Sequence, residues 1–80
     1  MQDTYSDAVI EKFNKAGLEK RFTYHAPKPG QPELYEKIRR QAKELARLIV
    51  ASTPEGREQS LSLTNLEEAV FWANAGIARS

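Results

Sequence analysis

Two apolar seams of matching length, with one turn signal between them, constrain this chain more than any other feature. Tyr35, Ile38, Ala42, Leu45 and Ile49 step by 3, 4, 3 and 4 residues. Leu63, Leu66, Val70, Ala73 and Ile77 repeat the same steps. That spacing lines side chains along one stripe of an α-helix. Leu34 and Leu48 widen the first stripe, and Pro32 is a favoured first-turn residue. Thr53-Pro54-Glu55 reads as the turn between the helices, and so short a connection makes its neighbours antiparallel. The pattern predicts an all-α chain whose long hairpin has helices over 32–52 and 54–79, in one domain covering 1–80. The run SLSLT alternates like a strand, but the LEEAVFWANA that follows favours helix.

Upstream, DTYSDAVIEKFNKAG predicts a short helix within residues 1–17. Asp3 is its candidate cap and Gly17 the residue that ends it. Tyr5, Val9, Ile10 and Phe13 give it one apolar side, which is expected to lie against the hairpin.

Size limits how such a chain becomes stable. Eighty residues bury only a modest core, and small domains turn to disulfides, metals or association. There is no cysteine and a single histidine, so no disulfide or metal cluster is expected. Self-association remains. Leu61, Ala69, Phe71, Trp72 and Ala75 lie partly off the third helix's seam and need a cover, either the N-terminal helix or another copy. Asn74 is expected in packing, with a bond across protomers.

Several function classes fall away. A formal charge of +1 does not suit a coat for long polyanions. Lys37, Arg39, Arg40, Lys43 and Arg47 interleave with Glu33, Glu36 and Glu44, as on a solvated, salt-bridged helix face. No apolar run approaches a membrane span. The N-terminus lacks a signal peptide's apolar region, so the cytoplasm is the expected compartment. No metal motif, nucleophile–base pair or Gly-rich phosphate loop points to an enzyme, and no cofactor is expected.

Residues 18–31 hold the stretch with the most chemistry, FTYHAPKPGQ. Pro27 and Pro29 fix φ and remove donors, and they push Ala26 and Lys28 toward extended geometry. This stiff loop carries Tyr24, His25 and Lys28 within five positions. An aromatic plane, a ring N–H and a cation suit a ligand with bases and phosphates.

FTYHAPKPGQ, followed by YEKIRRQAKELARLI, REQSLSLT and LEEAVFWANAGIAR, resembles the hairpin domain shared by two bacteriophage sponge families. One is the anti-CBASS cyclic-oligonucleotide sponge and the other the anti-Thoeris sponge. The resemblance runs from about Phe22 to Arg79. It implies a protein that is not an enzyme but binds immune nucleotide signals without cleaving them, inside the infected bacterial host. It also implies a compact helical homo-oligomer, typically a hexamer, with pockets between protomers. The chain is short for the anti-Thoeris branch, which carries an additional domain. That favours cyclic dinucleotides, with cyclic trinucleotides in separate pockets, over cyclic ADP-ribose isomers.

On that resemblance Lys28 matches a basic loop position that meets phosphate; otherwise it is a solvated lysine. Tyr24 stacks on a base or pins the loop, and Phe22 more simply packs. His25 donates to a phosphate or base edge, or serves structure alone. Phe13 is the candidate for the aromatic that the family's N-terminal helix stacks on a base, with the core as its default place. Phe13, Tyr24, His25 and Lys28 thus form the expected dinucleotide set. Arg57, Ser60 and Thr64 step by 3 and 4 and so share a helix face. The family's second pocket draws on this segment, so they form the expected trinucleotide set. For the hydroxyls the alternative is backbone bonding; for Arg57 it is a surface charge near Glu58. A nucleic-acid-binding hairpin and a purely structural oligomer are the remaining alternatives.

Overall fold

A computed structural model describes residues 4–80. Among them the chain forms four helices and no strand: α1 (Asp7–Lys15), α2 (Leu18–Phe22), α3 (Gln31–Ser52) and α4 (Arg57–Ala78). Asp3, the expected cap, lies outside the described residues. The cap observed is Ser6, whose Oγ accepts from the Val9 amide at 3.3 Å. Asp7 in the first turn and Lys12 and Lys15 in the last complement the helix dipole. Gly17 ends α1 as expected, in the left-handed region at φ 68, where a residue without Cβ carries little penalty.

The same glycine lets the chain restart at once as α2. Residues 18–31 are therefore not loop throughout: LEKRF folds as a helical turn. Leu, Glu, Lys and Arg are good helix formers, and the prolines that forbid helix come only later. From Thr23 onward the chain is without regular structure until Gln31.

Helices α3 and α4 pack side by side as the expected hairpin. Helix α3 ends at Thr53, whose amide and hydroxyl both donate to the Ile49 carbonyl, at 3.1 and 2.7 Å. Pro54 cannot continue the helix. Gln59 braces the turn from the other side, with Nε2 donating to the Thr53 carbonyl at 3.1 Å and to Thr53 Oγ1 at 3.0 Å. On the seams, Tyr35, Ile38, Ala42 and Ile49 are half-buried against Leu63, Leu66, Val70 and Ile77. Leu45 is instead 46% exposed, and Ala46 takes the inward place. Likewise Asn74 turns inward while Ala73 faces out. An α-helix has 3.6 residues per turn and drifts off a strict seven-residue repeat.

The N-terminal helix does not lie against the hairpin. Among the described residues α1 packs with α2, and neither packs with α3 or α4. The eight residues between Phe22 and Gln31 separate the arm from the hairpin, and Pro27 and Pro29 bar helix through their middle. The chain measures 55 × 33 × 18 Å, with a radius of gyration of 18.4 Å, where a compact chain of this length would have about 12 Å. No apolar side chain among the described residues is buried. A single copy thus lacks the dry core that offsets the conformational entropy lost on folding.

Candidate functional site

The stiff loop closes on a turn that its residues dictate. In Lys28-Pro29-Gly30-Gln31, proline occupies the second position and glycine the third. Gly30 has φ 85 and ψ −17, the values a type II turn requires there, and the Gln31 amide donates to the Lys28 carbonyl at 3.0 Å. The Gln31 side chain closes the turn a second time: Oε1 accepts from the Lys28 amide at 2.9 Å. Its Nε2 donates to the Ile77 carbonyl at 2.8 Å, near the end of α4. Gln31, at 7% exposure, is the one buried residue among those described.

Lys28 itself is exposed, and its ammonium donates to the main-chain carbonyl of Ser80. That places a cation at the negative end of α4. His25 is half-buried and its Nε2 lies 2.6 Å from the Lys20 carbonyl. A carbonyl only accepts, so Nε2 carries a proton and Nδ1 is the ring nitrogen left for a ligand. Tyr24 is 84% exposed. Phe22 is exposed too, with the Arg21 guanidinium 6.0 Å from its ring centroid; it does not pack on the hairpin. Thr23 Oγ1 donates to Glu19 Oε2 at 3.3 Å, which ties the start of the loop to α2.

Phe13 sits apart from these three. Its ring meets that of Tyr5 edge to face, with centroids 4.9 Å apart and planes at 84°, beside a cavity lined by Ile10, Asn14, Leu18 and Glu19. No hydrogen bond or ring contact joins Phe13, Tyr24, His25 and Lys28 to one another in a single chain. Arg57, Ser60 and Thr64 occupy the opening turns of α4 and are all exposed. Among the described residues, Ser60 and Thr64 make neither a capping nor a backbone side-chain bond, and Arg57 makes no ion pair. Arg57 and the Lys28 ammonium mark opposite ends of α4, about 30 Å apart at 1.5 Å rise per residue.

The charged face of α3 is as expected: Arg39 pairs with Glu36 at 2.7 Å and Arg47 with Glu44 at 3.6 Å, all well exposed. Between the hairpin helices an open groove of about 450 Å³ is lined by Ile38, Ala42, Leu45, Leu66, Val70 and Ala73, among others. No described helix is long and apolar enough to cross a membrane.

Sequence reasoning missed Gln31, read only as the last loop residue. Its position directly after Pro-Gly was the available signal, since the fourth residue of a type II turn lies next to the first. Nothing in the sequence indicates that its other end reaches Ile77.

The chain matches the family model described as Acb2/Tad1, hairpin domain, over residues 14–78. No curated protein and no solved structure matches it. The matched span takes in Tyr24, His25, Lys28, Arg57, Ser60 and Thr64, and begins one residue after Phe13. With most of its length covered, the chain belongs to the Acb2/Tad1 hairpin-domain family, a family of cyclic-nucleotide sponges rather than enzymes.

Proposed function

We propose that this protein sequesters cyclic oligonucleotide immune messengers without cleaving them, in the cytoplasm of an infected bacterium, and so keeps anti-phage effectors unactivated. The observation that carries the reading is the family match across the loop and both hairpin helices. A sponge needs a site that is ready before its ligand arrives, because ordering a loop on binding subtracts from affinity. The doubly closed turn at Lys28 supports that requirement.

Within this reading Lys28 meets a phosphate, Tyr24 stacks on a base and His25, whose Nε2–H is taken by the Lys20 carbonyl, offers Nδ1 as an acceptor to a base edge. Phe13 adds a second stacking plane once brought near. These four residues form the cyclic-dinucleotide site. Arg57, Ser60 and Thr64 form a separate cyclic-trinucleotide site, and the length of α4 between the two sets supports keeping them apart.

The pockets form between copies of the chain, in a homo-oligomer that we take to be a hexamer. The missing dry core supports assembly. So do the exposed rings of Phe71 and Trp72 and the apolar groove of the hairpin. Asn74 Oδ1 is sealed from solvent and finds no partner among the described residues. An unpaired buried polar atom costs about 1–3 kcal/mol, so Asn74 adds a cost to the single chain.

Calorimetry against cyclic dinucleotides, cyclic trinucleotides, cyclic ADP-ribose isomers and long single-stranded nucleic acid tests the proposal. Saturable binding of cyclic oligonucleotides, little changed by salt, is the expected result. Exclusive binding of cyclic ADP-ribose isomers would move the protein to the anti-Thoeris function. Binding only to long polymers, with steep salt dependence, or no binding at all, would refute the sponge.

A further inference from the structure

We propose that Gln31 is a positioning residue of the dinucleotide site: its carboxamide locks the Lys28–Gln31 turn onto the end of α4 and so fixes where the Lys28 ammonium is presented. The inference rests on the functional reading above and adds to that site a residue which does not itself touch the ligand.

The chemistry of the clamp is specific to an amide. Its oxygen must accept from the Lys28 amide at 2.9 Å while its nitrogen donates to the Ile77 carbonyl at 2.8 Å. A carboxylate only accepts, an ammonium only donates, and an aliphatic side chain does neither. Gln31 itself is shielded from water, while the Ile77 carbonyl also accepts from Ser80 Oγ at 2.7 Å. Without the clamp one main-chain bond would still close the turn, but the Gln31 link between the turn and α4 would be gone.

Lys28 gains from being held. An ammonium carries three protons; one is directed at the Ser80 carbonyl, and the others remain for a phosphate. Clamping the main chain at Lys28 leaves only side-chain rotations to be ordered when ligand arrives. A purely structural Gln31 would change stability and leave ligand affinity alone.

The test uses the full chain with cyclic di-AMP, cyclic di-GMP and cyclic GMP–AMP, carrying forward whichever binds most tightly. Lys28→Ala, Gln31→Leu and Gln31→Glu are compared with wild type after each is matched for helix content and sedimentation. Gln31→Leu is expected to raise Kd roughly tenfold, about 1.4 kcal/mol. Gln31→Glu is expected to bind as weakly near neutral pH. It should recover toward wild type as pH falls through the carboxyl range, about pH 6 to 4, because the protonated acid again supplies a donor. Wild type and Gln31→Leu, followed over the same range, report every other titrating group. If wild type binds and Lys28→Ala does not, but both Gln31 variants bind like wild type, the clamp is refuted and the sponge stands. If wild type binds none of the three ligands, the dinucleotide site and the clamp fall together. Hydrogen exchange of wild type decides the matter even if Gln31→Leu fails to fold. The Lys28 amide should be protected well beyond that of Tyr24, and equal exchange at the two would overturn the clamp.

Discussion

The side-chain ammonium of Lys28 bonds to the main-chain carbonyl of Ser80, 52 positions further along the chain. The proline loop is thereby joined to the far end of the hairpin, and the cation lies where the dipole of α4 is most negative. Arg57 opens the same helix at its other end.

That separation makes the two proposed pockets testable by exchange of phenotype. Lys28→Ala should lose cyclic-dinucleotide binding by about 1.5–3 kcal/mol, the range for hydrogen bonds to charged groups, and leave trinucleotide binding nearly intact. Arg57→Ala should do the reverse. Calorimetry of both variants against both ligand classes, in oligomers shown to be intact, checks this. Equal weakening of both ligands by each mutation would mean a single shared site.

Trp72 is 63% exposed in the single chain, and its indole N–H donates to Glu68 Oε1 at 3.3 Å. Trp72→Ala should therefore leave the hairpin helical but weaken assembly by about 2 kcal/mol or more, as a buried interface tryptophan does. Sedimentation across a range of concentrations checks this. A well-folded wild-type monomer at high micromolar concentration would rule out the assembly.

Gln59 holds the interhelical turn through two bonds to Thr53. Gln59→Ala should destabilise the protein by about 1–2 kcal/mol, measured by chemical unfolding, without changing affinity for either ligand. No loss of stability would show that the turn is held by Thr53 and Pro54 alone.

Much of the hairpin was legible because burial on a helix imposes its own period. Ile38, Ala42 and Ile49 against Leu66, Val70 and Ile77 follow directly from their spacing, and Thr53-Pro54 marks the break. Leu45 and Ala73 did not follow, since a seven-residue repeat and a 3.6-residue turn part company along helices of 22 residues. The apolar side of α1 was equally visible, but an apolar face does not name what it covers, and α1 turned out to pack on α2 rather than the hairpin. In the candidate site, the stiffness of the loop was readable from Pro27 and Pro29 and Lys28 from the family resemblance, whereas the turn that Pro29 and Gly30 make was not read. Nor was Gln31, because its second bond joins it to a residue 46 positions away, and no local pattern encodes such a partner.

Sequestration without turnover is the central claim, and recovery of the bound ligand tests it most directly. The protein is incubated with a cyclic dinucleotide that it binds, freed of unbound ligand, then unfolded by heat or protease and analysed by chromatography. The expected result is release of the cyclic dinucleotide chemically unchanged, in proportion to the sites filled. Linear products accumulating beyond the amount of protein would contradict it.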